Sequence, residues 1–230
     1  MDKVKLIISP ALDVYGQMAT DELLVSNFAP CIRFFNWDER PQATFGYVQK
    51  LNQAKAELEK LGINKFTRRM TGGGLVLHQS DLTFSLIFDL KERLQPNIIY
   101  TDLHGKIQAE LLKEGFVSSV YGGKSDYNPQ TSNGKVQNCF TNPVADDLMQ
   151  EGKKVLGGAL RRFDKRVLYQ GSLQINDAES QRAKNALLKG FLNYLDISDF
   201  EEYILSNDFL NEVNTIAKTK YNTDVWLGKF

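Results

Sequence analysis

The segment RRMTGGGLVLH, residues 68–78, combines two arginines, three consecutive glycines and one of the chain's two histidines. Consecutive glycines allow positive φ and bring backbone N–H groups close to a ligand, and flanking arginines add charge-assisted donors for an anion. The same residues could form a plain turn with Arg68 and Arg69 in solvent. Neither a Walker A loop nor a strand–GxGxxG–helix pattern is present. The segment therefore indicates either an anion or acyl-adenylate site or a flexible turn.

The two cysteines, Cys31 and Cys139, are too few for a disulfide framework, and both are expected to be free thiols in a reducing compartment. A thiolate near a cation can act as a nucleophile, but a free cysteine is also commonly a small buried hydrophobe. Cys31 begins the apolar, aromatic segment CIRFFNW and is predicted to be a packing residue. For Cys139, the residues alone leave both interpretations open.

The composition is that of an ordinary globular protein, with 42% hydrophobic residues and 28 basic against 28 acidic side chains. A net charge near zero argues against a nucleic-acid binder held by bulk electrostatics. The short N-terminal apolar run is broken by Pro10 and Asp13, so we expect neither a secretory signal nor a membrane span. These features predict a cytoplasmic protein with no nucleic-acid or membrane partner.

Periodicity outlines the elements that must position these residues. Residues 3–9 resemble a strand, and a buried helix is expected after Asp13. CIRFFNW and ATFGYVQ, separated by DERPQ, are interpreted as a β-hairpin. LTFSLIFDL alternates with period two, which is typical of a half-buried strand. Later segments predict a long amphipathic helix around His104, an exposed loop over residues 121–135, two strands at KKVLGGAL and VLYQGSLQI, and a helical last fifty residues.

Several segments together resemble the biotin/lipoate protein ligase family, which includes lipoate-protein ligases and octanoyltransferases. The pattern RRxTGGGxVxH, followed by Asp81-Leu82-Thr83-Phe84-Ser85, is similar to the family signature. Further matches occur in chain order: Gly16–Glu22 with a first-helix motif, Phe45–Gln49 with GYxQ, Gly152–Ala159 with GKKxxGxA, and Gly171–Leu173 with HGS(I/L)L. Residues beyond 177 carry no such motif.

The resemblance implies an α/β (α+β) fold: a single catalytic domain over residues 1–230, with a mixed, mainly antiparallel sheet packed against helices. Residues 177–230 would form a helical C-terminal part. The residues carried over as binding the acyl group or shaping its pocket are Arg69, Gly72, Gly73, Gly74, His78, Gly157, Gly158 and Ala159. A structural role for His78, ordering the glycine loop, is equally compatible with its position. No metal ligand is expected among these residues.

Two chemistries divide the family. In the cysteine-dependent transferases, a cysteine takes an acyl group from a carrier and passes it to an acceptor lysine without a cofactor. Asn138–Pro143 resembles the CFxxP segment that carries this nucleophile, so Cys139 and Lys154 are the predicted catalytic residues. The donor would be an acyl carrier protein or a lipoylated carrier, and the acceptor a lipoyl domain or glycine-cleavage carrier protein. The substrate group would be octanoyl or lipoyl.

The alternatives are an ATP-dependent lipoate ligase, which would use ATP and Mg²⁺ to form a lipoyl-adenylate, and a noncatalytic relative. Four positions depart from the family pattern: Val144, Gly158 and Leu160 replace a Ser, a Ser and a polar residue, and Gln170 replaces a His. These departures indicate altered specificity or lost activity. The run of basic residues between 153 and 166 indicates either a solvated turn or a docking patch for an acidic lipoyl domain.

Overall fold

The structure, a computed structural model, describes residues 3–90, 95–123 and 143–230. Its helices are α1 (Val14–Asn27), α2 (Leu51–Lys60), α3 (Pro96–Lys113), α4 (Gln181–Leu195), α5 (Asn207–Ile216) and α6 (Asp224–Leu227), with a π-helical turn at Ala217–Tyr221. Its strands are β1 (Val4–Leu12), β2 (Cys31–Trp37), β3 (Gln42–Phe45), β4 (Phe66–Arg68), β5 (Val76–His78), β6 (Leu82–Asp89), β7 (Ser119–Val120), β8 (Leu148–Gln150), β9 (Lys153–Phe163), β10 (Arg166–Leu173) and β11 (Phe200–Glu202).

Within these described residues, eight strands form one sheet in the order β11-β1-β2-β6-β10-β9-β8-β7. The pairs β1/β11 and β1/β2 are parallel, and the remaining neighbours are antiparallel. The predicted α/β (α+β) fold with a mixed, mainly antiparallel sheet is therefore confirmed. The two strands predicted at KKVLGGAL and VLYQGSLQI are also present, and as β9 and β10 they form an antiparallel hairpin.

The expected hairpin between CIRFFNW and ATFGYVQ is wrong. Strand β2 pairs with β1 and β6 of the large sheet, whereas β3 lies in a separate three-stranded sheet of order β4-β3-β5. The two segments are joined by a short connection that crosses from one sheet to the other. Turn chemistry alone cannot distinguish this connection from a hairpin, because both use the same polar and proline residues.

The period-two pattern of β6 separates the two faces of the large sheet. Phe84, Leu86 and Phe88 join the apolar cluster that also contains buried residues of α3 and α4. Thr83 and Ser85 alternate with them and point to the side on which α1 packs. Because hydrophobic and polar side chains alternate along a strand, the α1 face carries a row of buried polar groups. The candidate site lies on this face.

Helix α1 begins at an N-cap, where the Asp13 carboxylate accepts a hydrogen bond from the Gly16 N–H at 2.8 Å. Most of its side chains are buried, so the helix is packed on more than one side. One side faces the large sheet, and α5 and the π-helical turn pack on another. The Lys220 ammonium at the π-helical turn pairs with Glu22 of α1 at 2.6 Å.

The C-terminal part is helical in α4, α5 and α6, but the expectation of helix throughout the last fifty residues is incomplete. Residues Phe200–Glu202 form β11, which extends the parallel edge of the large sheet beside β1. Helix α4 packs on α3 through Gly190, where a Cβ atom would lie 2.8 Å from the Ile107 Cα.

Of the helices in the described ranges, none is long and apolar enough to cross a membrane. The domain boundaries remain a prediction.

Candidate functional site

A cavity opens on the α1 face of the large sheet, where the small sheet and the glycine loop (residues 70–75) adjoin it. Its lining residues are Met18, Phe35, Thr44, Arg69, Gly73, Val76, His78, Thr83, Lys154, Gly157, Gly158, Ala159, Gln170, Gly171 and Ser172. Seven of the predicted site residues are therefore brought together, although they come from segments that are far apart in sequence. Gly72 and Gly74 belong to the glycine loop but do not line the cavity. Cys139 lies outside the described residues.

The glycine loop is held in place by close backbone approach and by Arg69. Gly73 has φ of 88°, and a Cβ atom at Gly46 would lie 1.7 Å from the Gly73 carbonyl oxygen. The Arg69 guanidinium donates to the Gly72 carbonyl from Nη2 at 2.6 Å and from Nε at 3.1 Å, and to the Thr44 carbonyl at 3.3 Å. Arg69 thus fixes the loop against β3.

Arg68 has a structural role. The alternative of a flexible turn with both arginines in solvent is wrong, because Arg68 and Arg69 are both buried. The Arg68 side chain is fully buried. It donates from Nη2 to the Leu227 carbonyl at 2.6 Å and from Nε to the Trp226 carbonyl at 3.1 Å. The Trp226 indole returns a hydrogen bond to the Arg68 carbonyl at 2.8 Å. Arg68 therefore ties the base of the glycine loop to the C-terminal helix.

Lys154 reaches the cavity through a tight hairpin and a β-bulge. Strands β8 and β9 are joined by Glu151 and Gly152, whose φ angles of 50° and 75° suit a two-residue hairpin turn. The register then shifts between the pairs Met149–Lys154 and Leu148–Leu156, so that Val155 is an extra residue. Such a bulge re-aims the neighbouring side chains. Here it directs Lys154 toward Gly157 and the cavity.

The Lys154 ammonium forms an ion pair with Asp147 at 2.8 Å, and both side chains are almost completely buried. A Cβ atom at Gly157 would lie 2.0 Å from the Lys154 Cε and 2.3 Å from its Nζ, so only glycine leaves room for this lysine. The Asp147 carboxylate also accepts a hydrogen bond from the Val144 N–H at 2.7 Å. Burial raises the pKa of Asp147, and Lys154 opposes that rise.

A second polar cluster surrounds Asp81 on the cavity wall. Its Oδ2 accepts from Ser172 at 2.7 Å and from Thr83 at 2.8 Å, and lies 3.0 Å from His78 Nδ1. Burial by itself raises the pKa of Asp81, but His78 and the two hydroxyl groups outweigh burial and leave the pKa below its usual value. The His78 ring stacks on Trp37 with centroids 4.5 Å apart. His78 is thus held in a fixed orientation.

A third cluster connects α1 to the glycine loop through Gln170. The Gln170 amide donates to Asp21 Oδ2 at 2.6 Å, and its carbonyl oxygen accepts from the Thr71 hydroxyl at 2.7 Å. Asp21 also forms a fully buried ion pair with Arg33 at 2.5 Å. The glutamine at the position where the family commonly has histidine therefore bridges a buried ion pair and the loop.

The other three departures from the family pattern, at Gly158, Leu160 and Val144, can each be described by their contacts in the structure. A Cβ atom at Gly158 would lie 2.4 Å from the Tyr169 ring, so a serine at this position would collide with that ring. The Leu160 N–H donates to the Tyr100 hydroxyl at 2.9 Å. Val144 contributes its backbone N–H to Asp147, a contact that needs no hydroxyl side chain.

The basic run on β9 and β10 is partly structural. Arg161 donates to the Met70 carbonyl at 3.1 Å and lies over the Tyr47 ring at 4.1 Å. Arg166 pairs with Asp89 at 3.0 Å and donates to the Val25 carbonyl at 2.7 Å. These contacts hold β9 against the glycine loop and β10 against β6 and α1. The interpretation of this basic run as a docking patch for an acidic lipoyl domain stays a prediction.

Asp147 is a site residue that sequence reasoning missed. It lies outside every matched motif, and its only signal is the Glu-Gly dipeptide at positions 151 and 152. A two-residue turn there pairs Gln150 with Lys153 and Met149 with Lys154, which brings Asp147 close to the lysine. Asp21 and Thr71 lie within recognised motifs, but their link through Gln170 spans 149 residues and has no local signal.

The chain is similar to known proteins in both sequence and fold. The family model of the lipoyl protein ligase A/B catalytic domain matches residues 13–192. An octanoyltransferase LipM from Anoxybacillus flavithermus is 29% identical in an alignment that covers 95% of this chain and 94% of that protein. A lipoate-protein ligase A bound with ATP has a TM-score of 0.78 at 20% identity, over the whole of both chains. A bipartite lipoate protein ligase from Thermoplasma acidophilum, studied with its E2 lipoyl domain, has a TM-score of 0.72 at 19% identity and covers 100% of this chain and 98% of that one. The two structural likenesses show a shared fold.

Proposed function

The chain belongs to the lipoyl protein ligase A/B catalytic domain family, and from this membership we propose that it transfers an octanoyl or lipoyl group to an acceptor lysine. The acceptor is a lipoyl domain or a glycine-cleavage carrier protein. The donor is an acyl carrier protein or a lipoylated carrier domain. The transfer proceeds through a thioester on Cys139 and needs a free thiol, so we propose that the protein acts in the reducing cytoplasm.

The observation that carries the proposal is the buried Lys154 ammonium on the wall of a cavity that also offers apolar surface. Met18, Phe35 and Val76 line the same cavity. Burial of a saturated acyl chain is worth about 0.8 kcal/mol for each CH₂ group, so apolar lining binds such a chain. The ammonium supplies the donor that an acyl oxygen needs at one end of that chain.

The proposed chemistry has two acyl transfers. The Cys139 thiolate attacks the carbonyl carbon of the donor, which is a thioester on an acyl carrier protein or a lysine amide on a lipoylated carrier domain. A new carbon–sulfur bond forms, and the bond to the carrier breaks with release of the carrier thiolate or, after protonation, of the carrier lysine amine. The neutral amine of the acceptor lysine then attacks the Cys139 thioester. An amide forms, the Cys139 thiolate leaves, and the proton lost by the amine is taken up by water. In both steps the Lys154 ammonium donates to the oxygen on which negative charge develops.

Chain connectivity supports a role for Cys139 at this site. Cys139 lies five positions before Val144, and five steps of extended chain span at most about 18 Å. Val144 itself donates to the carboxylate that holds Lys154. Cys31 makes a clear contrast, because it is fully buried among apolar side chains and burial raises its pKa to about 12. A thiol in such surroundings is a packing group.

The names of the relatives support transfer in preference to ATP-dependent ligation. The LipM protein with which this chain shares almost its whole length is named an octanoyltransferase. The likeness to an ATP-bound ligase lies at 20% identity and concerns the fold. In the ligase alternative, Lys154 would contact the carboxyl and phosphate oxygens of a lipoyl-adenylate, and Cys139 would have no covalent role.

Intact mass spectrometry after incubation with octanoyl-acyl carrier protein in the absence of ATP tests the proposal. We expect one octanoyl adduct that hydroxylamine removes, in the unchanged protein and in Cys31→Ser. Cys139→Ser should gain no such thioester. Adding a lipoyl domain should discharge the adduct and acylate that domain.

Two other outcomes would contradict this proposal. Acylation of a lipoyl domain from free lipoate and ATP, unaffected by Cys139→Ser, would establish the ligase chemistry. Tight binding of octanoate or lipoate without turnover from any donor would establish a noncatalytic relative. The Cys31→Ser control ensures that a lost adduct reflects the loss of Cys139 and not of any cysteine.

A further inference from the structure

His104 on α3 is a buried histidine that the proposed chemistry does not use. Its Nδ1 lies 2.6 Å from the backbone carbonyl oxygen of Asp146, and its Nε2 lies 2.7 Å from the Tyr169 hydroxyl. A carbonyl oxygen only accepts hydrogen bonds, so Nδ1 carries the proton. Burial lowers the pKa of His104 to about 4, so the ring is neutral and Nε2 accepts from Tyr169. Both ring nitrogens are thus committed.

His104 contacts Asp146, and the next residue, Asp147, forms the ion pair with Lys154. Asp146 has φ of 72°, a left-handed conformation that is uncommon for a residue other than glycine. Its N–H donates to the Tyr121 carbonyl at 3.0 Å, and its side chain accepts from Thr101 of α3 at 3.1 Å. The next residue, Asp147, aims its carboxylate at Lys154. The peptide between Asp146 and Asp147 therefore has a fixed orientation, set in part by His104.

The contacts of His104 lie on the opposite side of the large sheet from the cavity. Its partner Tyr169 belongs to the apolar cluster of α3 and α4. The Tyr169 ring fills the space next to Gly158, where a Cβ atom would collide with it. The turn over residues 143–147 precedes β8, contacts α3 through Asp146 and pairs with Lys154 through Asp147. It is a direct physical link between α3 and Lys154.

We propose that His104 is a positioning residue: by donating to the Asp146 carbonyl and accepting from Tyr169, it fixes the turn that presents Asp147 to Lys154. The catalytic consequence rests on the proposed acyl transfer, whereas the positioning itself does not. No atom of His104 has to touch the substrate. Loss of its Nδ1 donor frees the Asp146 carbonyl, so that the Asp147 carboxylate no longer has a single orientation.

Three substitutions separate positioning from packing. His104→Phe keeps an aromatic ring and removes both hydrogen bonds, whereas His104→Asn restores an N–H donor close to the place of Nδ1. Glu110→Gln is the matched control, because Glu110 is also a buried polar residue of α3 but pairs with Lys113 and Asn193, away from the turn. A thermal midpoint is measured for each variant to verify that it is folded.

We expect His104→Phe to lower kcat for octanoyl transfer by about 100-fold with KM within about twofold, since misplacing a catalytic group by about 1 Å has an effect of that size. His104→Asn should recover kcat to within about fivefold of the unchanged protein, and Glu110→Gln should retain it. An unchanged kcat in His104→Phe overturns the proposal. So does a kcat in folded His104→Asn that is as low as in His104→Phe.

Hydrogen exchange of the backbone amides gives a readout that does not depend on turnover. Two amides report on the turn: the N–H of Asp146, and the N–H of Tyr121, which donates to the Asp147 carbonyl at 2.8 Å. Both should exchange at least about tenfold faster in His104→Phe than in His104→Asn or Glu110→Gln. Equal exchange in all variants overturns the proposal. A chain that shows this pattern but transfers no acyl group would refute the proposed function and leave the positioning role standing.

Discussion

The Asp147 carboxylate and the Lys154 ammonium lie 2.8 Å apart on the cavity side of the sheet edge, and both are almost completely buried. A buried ion pair of this kind adds little net stability, because desolvation of both charges offsets their attraction. It does fix the direction of the ammonium group. The main effect of the pair is therefore to orient Lys154 toward the cavity, and its contribution to the stability of the fold is small.

Asp147→Asn should weaken both function and fold, because Lys154 loses its carboxylate partner in a buried environment. We expect a loss of about 3 kcal/mol in the free energy of unfolding and a fall in kcat of at least about tenfold. Urea denaturation and the acyl-transfer assay measure the two effects. The double variant Asp147→Leu/Lys154→Met should regain most of the stability and none of the activity. Recovery of activity in that double variant would refute a catalytic role for Lys154.

Gly157→Ala should lower both activity and stability, because it displaces Lys154 from its buried carboxylate partner. The new Cβ would lie 2.0 Å from the Lys154 Cε, and the flexible lysine can swing away without moving the backbone. We expect kcat to fall by about 100-fold, since the ammonium leaves its position, and the free energy of unfolding to fall by about 3 kcal/mol, since Asp147 stays buried without its partner. Gly72→Ala is the control within the glycine loop, because a Cβ there meets no atom within 4 Å. Equal kcat in both variants would show that Lys154 does not need its present position.

How much of this site the sequence reveals depends on whether the contacts are local. The alternation of β6 and the β9–β10 hairpin were predictable, because side-chain period and turn residues lie within one short segment. The matched motifs identified seven residues that line the cavity. The separation of β2 from β3 was not predictable, because each strand takes its partners from distant parts of the chain.

The polar connections within the site are the part that local patterns do not predict. Gln170 was recognisable as a departure from the family pattern, but its partners Asp21 and Thr71 lie 149 and 99 residues away. Their meeting depends on the packing of α1 against β10. Only the assembled fold shows that Gln170 joins Asp21 to Thr71, so the glutamine has a defined hydrogen-bonding role at this position.

Gln170→Glu should destabilise the protein in a pH-dependent way. The introduced carboxyl group would face Asp21 Oδ2, which now receives a hydrogen bond from the Gln170 amide at 2.6 Å. Two carboxylates at this distance raise the pKa of one of them. Protonation relieves the repulsion, so the stability difference from the unchanged protein should grow as the pH rises above about 4.3, the usual value for Glu. Gln170→Leu, which adds no charge, should show a constant deficit in urea denaturation between pH 5 and pH 8.

The buried neutral His104 should make the protein less stable in mild acid. Its pKa is about 4 in the folded chain against an ordinary value of 6.5, so between these values the unfolded chain takes up a proton that the folded chain does not. The contribution of the neutral ring is therefore fully present above pH 6.5 and is lost as the pH falls toward 4. A difference of this size corresponds to about 3 kcal/mol over that interval.

Urea denaturation of the unchanged protein and of His104→Asn at several pH values between 7 and 4.5 measures this contribution. The stability difference between the two should shift steadily in favour of His104→Asn as the pH falls below 6.5, because asparagine does not titrate. Burial is the main cause of the low pKa of His104; the hydrogen bond to the Asp146 carbonyl opposes it, and the positive charge of Lys154 adds to it. Parallel stability curves would show that His104 takes up its proton over the same pH range in the folded and the unfolded chain. Below that range they would also require Nε2 to be a donor to Tyr169 instead of an acceptor.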